Sequence, residues 1–387
     1  MSMPRFPEQA FKMKQSAPAN LAALTSLRFF AAMWVVFYHF WDNLGVPAPE
    51  IVAKGYLGVE LFFVLSGFIL SHVYLERFKT GGFSYREFLW ARLARVYPLH
   101  VTIIAGLGLL ILGLALVGIH AGDKLIVWSS LPAQLTLTQA WGLGQGGGWN
   151  HPAWSISAEW FAYLTFPAFA FLFARLWTRP AVALVGTAVF TIGLQIAFER
   201  RTGFSLTHAT ILWGALRIVP CFALGSALWL LWKKTQAVAQ RFGLPLAGGA
   251  LATLAAAIML HSPDWLFVLD FAVMIFGLAL MSNSGERILT HSILTHPALT
   301  YLGEVSFAIY MICIPWQLVS TQGLHKLLHL DPDHLPVVVW LVLVAGVVPA
   351  GMAMHHLIER PARRLMRKVT FEAKPVVDVR ARLRWQY

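Results

Sequence analysis

Residues 21–40 read LAALTSLRFFAAMWVVFYHF, twenty mostly apolar positions interrupted by Arg28 and His39. A helix crossing the hydrocarbon core of a bilayer needs about 20 such residues, so the stretch reads as a membrane span. It follows a twenty-residue polar leader and lacks a small-residue cleavage site. It is therefore read as a retained helix rather than a signal peptide. Apolar stretches of similar length recur near 55–75, 96–119, 153–175, 180–198, 211–232, 244–261, 264–281, 299–320 and 335–358. The expected fold is all-α and polytopic, with about ten transmembrane helices.

Composition agrees. Hydrophobic residues fill 58% of the 387 positions, and charged residues only 12%. That is too little charge to cover a soluble protein of this size. Sixteen Trp and twenty-seven Phe suit a lipid-facing exterior with aromatic belts. The net charge of +12 does not point to nucleic acid, because the basic residues punctuate the apolar runs instead of gathering on one soluble segment. Cys221 and Cys313 both lie inside apolar segments, so neither a metal site nor a disulfide is expected. The stretch 125–141 is too polar to span and is expected along the interface, leading into the Gly-rich hinge GLGQGGGWNHP.

Basic residues accumulate on the cytoplasmic side of membrane proteins. With the N-terminus inside, the inner segments hold 23 of the 30 Lys and Arg residues and the outer loops 5. Both termini are therefore expected in the cytoplasm. The chain divides into a leader (1–20), a ten-helix membrane body (21–358) and a basic cytoplasmic tail (359–387), the tail suited to lipid headgroups.

A charge inside a span costs roughly 3 kcal/mol or more at its centre, and persists where it lines a cavity or pairs. Arg28 and His39, eleven residues apart, return to one helix face about 16 Å from each other. They could hold two ends of one elongated ligand; equally, Arg28 could snorkel and His39 could pack. Glu60 is expected at the depth of His39, where a carboxylate would fix the imidazole tautomer for general-base work. Arg92 and Arg95 share a face at the cytoplasmic border and suit phosphate oxygens. Trp154, Ser155, Ser157 and Glu159 are expected in the outer third of their span, with Arg217 as partner to Glu159. Glu304 is expected to neutralise an inner arginine, and Ser306 and Tyr310 lie further into the same helix.

Five segments in order, LTSLRFFAAMWVVFYH, GYLGVELFFVLSGF, the RLAR pair before YP, WSISAEWFAY and GEVSFAIYM, give this chain its likeness. It resembles the membrane-bound acyltransferase-3 family, bacterial enzymes that O-acylate surface polysaccharides and related acceptors. The resemblance implies a ten-helix fold in the bacterial inner membrane that carries an acyl group, acetyl by default, from cytoplasmic acyl-CoA to an outer hydroxyl. That hydroxyl would belong to an exopolysaccharide, O-antigen or similar lipid-linked sugar. It implies no bound cofactor, membrane lipids as surroundings, no nucleic acid, and a homo-oligomer or polysaccharide-assembly machinery as open partners. Arg28 and His39 match the essential Arg/His pair, Arg92 and Arg95 the donor-holding arginines, and Glu159 the glutamate of the tryptophan-serine motif. One departure is Cys313, where the family usually has His. Some members also carry an extracellular hydrolase-like domain not seen here, so this protein is expected to finish transfer itself or to hand the acyl group on.

The expected mechanism follows. Arg92 and Arg95, with Arg28, bind CoA phosphates; His39 acts as general base, oriented by Glu60 or Glu159; Ser155, Ser306 and Tyr310 contact substrate. A transporter or flippase of an anionic lipid-linked sugar is one alternative, although no inverted repeat of the kind transporters carry is evident. A non-catalytic partner of a polysaccharide synthase is another.

Overall fold

The computed structural model describes residues 21–116, 126–143, 147–282 and 293–369. Helices make up its regular structure, and no strand occurs among the described residues. In chain order they are α1 (Ala22–Phe40), α2 (Glu50–Ala53), α3 (Gly58–Lys79), α4 (Tyr85–Leu116), α5 (Leu131–Thr136), α6 (Ala153–Leu164) and α7 (Phe166–Arg175). There follow α8 (Pro180–Thr202), α9 (Gly214–Ala239), α10 (Gly243–Met259), α11 (Asp264–Met281), α12 (Pro297–Leu328), α13 (Val337–Met354) and α14 (Arg360–Met366). Eight helical segments are long and apolar enough to cross a membrane. The fourth expected span is instead a broken pair, α6 and α7, bent by 54°. The seventh is the 17-residue α10, at the short limit for crossing.

The break has a local cause. Pro167 lacks an N–H and its ring crowds the carbonyl four residues back, while Thr165 turns its hydroxyl onto Phe161 O at 2.8 Å. The unbroken helix expected from hydropathy thus becomes two short arms, and Glu159 sits one turn before the bend. Helix α4 departs the other way. It starts at Tyr85 and runs 32 residues, so Arg92 and Arg95 belong to the spanning helix itself rather than to a flanking segment.

Helices α3 and α9 form the centre. A Cβ on Gly67 would lie 2.1 Å from Phe222 O, and one on Gly225 1.9 Å from Val64 O. Only glycine lets the two backbones come this close, the small-residue contact that substitutes for a hydrophobic driving force between helices in lipid. Around them pack α1, α6, α7, α8 and α11, and α12 lies against α1. The outer helices show apolar side chains to their surroundings, among them Val182, Val185 and Val189 on α8 and Val338 and Val342 on α13. That is the surface a bilayer would cover. The short α5 leads into Leu137, at φ 57°, which ends it. Part of the Gly-rich hinge, residues 144–146, lies outside the described residues, as do the leader 1–20 and the tail beyond 369.

Candidate active site

A cavity of about 160 Å³ opens between α1, α3, α4, α6 and α12. Arg28, Arg92 and Arg95 line it together with Ser66, Ser155, Glu159, Tyr163 and Tyr310, with Phe62, Phe63 and Phe307 as apolar lining. Arg28 comes from α1, facing the cavity within electrostatic reach of Arg95, Glu159 and Glu359. Arg92 and Arg95, three residues apart on α4, project together as helical periodicity requires. Arg92 stands 5.8 Å from the Tyr74 ring, and its Nε is buried without a hydrogen-bond partner. Arg95 donates from Nη1 to Glu359 Oε1 at 2.5 Å, and its guanidinium lies 5.2 Å from the Phe307 ring. Three guanidiniums thus gather around one partly apolar space, with Glu159 on the same cavity and Glu359 paired to Arg95.

Glu159 lines this cavity, within electrostatic reach of Arg28 and not beside His39. Its carboxylate accepts a hydrogen bond from Ser66 Oγ. Arg217, expected as its partner, instead holds Glu60 in a two-pronged pair, Nε to Oε1 at 2.5 Å and Nη2 to Oε2 at 2.9 Å. The third edge of Arg217 donates to Ala209 O at 2.9 Å, and its face lies 4.5 Å from the Trp154 ring. Both partners are almost fully buried. Glu60 is therefore committed to Arg217 and does not orient His39.

His39 is half-buried and outside the cavity lining, about three helical turns along α1 from Arg28: eleven residues at 1.5 Å each, roughly 16 Å. Its ring packs edge-on against Tyr38, centroids 5.1 Å apart, and faces the His151 ring at 6.5 Å. Among the described residues its imidazole hydrogen-bonds to neither Glu60 nor Glu159. The loop residue His151 is the titratable neighbour, and desolvation holds its pKa below the ordinary imidazole value. Tyr310 links the cavity to this end: its hydroxyl donates to Pro152 O at 3.0 Å, and Ser155 Oγ donates to the same carbonyl at 3.0 Å. Both side chains line the cavity.

Ser306 does not reach it. Fully buried, it donates to Gly303 O within its own helix at 2.7 Å, close to where α12 meets α1. Cys313 donates to Tyr310 O at 3.1 Å and packs with Val36, Phe40 and Val344 in a second apolar cluster. The face of α12 that carries Cys313 is thus turned to α1 and α13. Glu304 is exposed, and the carboxylate on the inner arginine is Glu359. Ser66 and Tyr163 join the lining without a signal in the sequence, since nothing in a hydrophobic helix marks which hydroxyl will face a charge.

Comparison with known proteins agrees with this architecture. Residues 21–356 match the family model described as an acyltransferase domain. The chain is 28% identical over 398 aligned positions to the acyltransferase MdmB of Streptomyces mycarofaciens, covering 93% of this chain and 96% of MdmB. It is 22% identical over 378 positions to the O-acetyltransferase OatA of Staphylococcus aureus, covering 91% of this chain and 58% of OatA. Protein 2 in the picA locus of Rhizobium radiobacter is 40% identical over 93 residues, 24% of this chain and 47% of that protein. No solved structure matches the chain. The chain belongs to the acyltransferase-3 family, and its multi-pass helical body is that family's acyltransferase domain.

Proposed function

We propose that this protein, in the bacterial inner membrane, transfers an acyl group from cytoplasmic acyl-CoA to a hydroxyl of a sugar in a glycan or lipid-linked acceptor. The acyl group is taken as acetyl, in keeping with the relative named as an O-acetyltransferase. The observation that carries the donor half is the cavity lined by Arg28, Arg92 and Arg95, with an unpartnered buried N–H on Arg92. A phosphate-bearing donor supplies the negative charge that Glu159 and Glu359 leave unbalanced. Its thin pantetheine arm would run along α1 toward His39.

In this reading His39 takes the proton of the acceptor hydroxyl as that oxygen attacks the thioester carbonyl. The tetrahedral intermediate collapses with cleavage of the C–S bond, and the CoA thiolate leaves with a proton returned from His39. Transfer is direct, without an acyl-enzyme. Glu159, Ser155 and Tyr310 bound the path between donor phosphates and reacting carbon. Positioned general bases contribute about 10²–10⁴-fold. His39→Ala should therefore lower transfer of radiolabelled acetyl from acetyl-CoA by at least 10²-fold at unchanged CoA affinity. Near-normal transfer by that variant would remove His39 from the chemistry.

A further inference from the structure

The stretch matched to the family ends at residue 356, yet the residues that follow reach the arginine wall. After α13 the chain makes one π turn, His355–Glu359. Such a turn inserts an extra residue into a helix and re-aims the side chains that follow, often at functional sites. Here it buries Glu359 to 1% exposure among three nitrogen donors. Arg95 Nη1 lies 2.5 Å from Oε1, Arg363 Nη1 3.7 Å from the same oxygen, and His355 Nδ1 2.9 Å from Oε2. Helix α14, which bears Arg363, is fastened against the start of α4 by Trp90 Nε1 donating to Met366 O at 2.7 Å.

The charges decide what this arrangement does. Arg95 and Arg363 repel each other, as do Arg28 and Arg95. The shared carboxylate offsets that repulsion between Arg95 and Arg363. Glu359 is nearly sealed, while Arg363 is 27% exposed at its side chain. The nearly sealed carboxylate thus ties together two guanidiniums that are both more exposed than it is. One edge of Arg95 is taken by Glu359 and one face by Phe307; the guanidinium still lines the cavity.

We infer that Glu359, itself oriented by His355, is a positioning residue that holds Arg95 and Arg363 together as an outer phosphate-binding pair. The pair continues the cavity wall toward the nucleotide end of the donor. The inference rests on the acyl-CoA reading above and assigns a ligand-binding role to Arg363, which the family match does not cover.

The test compares two donors on the purified full-length protein, acetyl-CoA and acetyl-pantetheine, which carries the same thioester without phosphates. With acetyl-CoA, Arg363→Ala and Glu359→Gln should each raise KM about tenfold with kcat falling less than threefold. With acetyl-pantetheine neither should move KM. A structural defect would affect both donors alike, so an equal loss on both overturns the proposal, as does no change on either. If Glu359→Gln fails to fold, judged by its thermal transition, the solvent-facing Arg363→Ala alone decides. Titration with CoA separates this inference from the reading beneath it. If Arg92→Ala/Arg95→Ala weakens CoA binding while Arg363→Ala and Glu359→Gln do not, only the outer pair is wrong. If the double variant leaves CoA affinity unchanged, the donor site itself is misassigned.

Discussion

Glu60 and Arg217 are 157 residues apart in sequence and joined by two hydrogen bonds. Taking either partner away leaves a buried charge with no counter-ion, which costs about 3–5 kcal/mol, whereas replacing both by apolar residues of similar volume is close to neutral. Arg217→Met should therefore lower the thermal transition in detergent markedly, and Glu60→Leu with Arg217→Met should recover most of the loss. A double variant as unstable as the single would mean the pair is not the cause. That both residues needed partners was legible from their place in apolar runs. Which partner was not. Depth along the sequence suggested Glu159 for Arg217, but depth does not say which helix faces meet: Arg217 on α9 meets Glu60 on α3, and Glu159 on α6 meets Ser66. His39 shows the same limit: its helix face was readable, but its neighbour proved to be His151 from a loop, not a carboxylate.

At the scale of elements, α3 and α9 cross with no room for a side chain at Gly67 or Gly225. The obstructing atoms are backbone carbonyl oxygens, which cannot move aside as a side chain can. Gly225→Ala must separate the helices, and overpacking of this kind costs about 1–3 kcal/mol, occasionally more. The same separation would shift Ser66, one residue before Gly67, away from Glu159. Gly225→Ala should thus lower both the thermal transition and acyl transfer, while Gly186→Ala on α8, with open space at its Cβ, should alter neither. Helix existence was legible throughout, since hydropathy over 20 residues is a local property. The bend at Thr165–Pro167 and the π turn at His355–Glu359 were less so. Proline marks the first, but the size of the bend depends on what α6 and α7 pack against, and no residue type marks the second.

For the whole molecule, the excess of basic residues on one side predicts an orientation that labelling can check. The two native cysteines are buried, so introduced ones report cleanly. Cysteine at Arg201, in the last turn of α8, should react with a membrane-impermeant maleimide added to intact cells. Cysteine at Gly82, between α3 and α4, should react only after lysis. The reverse pattern would invert the topology and set the arginine cavity facing outward, which is incompatible with a cytoplasmic donor. The sequence alone determined the class: a multi-pass helical protein, its orientation as an expectation, and the short roster of ionisable residues that a bilayer would not tolerate without purpose. Hydrophobic length and flanking charge can be read along the chain because lipid and membrane potential act on each segment separately. The tertiary structure alone decided how that roster is divided. Arg28, Arg92, Arg95 and Glu159 share one cavity, Glu60 and Arg217 neutralise each other, Ser306 and Cys313 turn into helix contacts, and Glu359 joins the arginine wall. Those choices depend on which helices touch and at what rotation, a matter of packing between segments far apart in sequence.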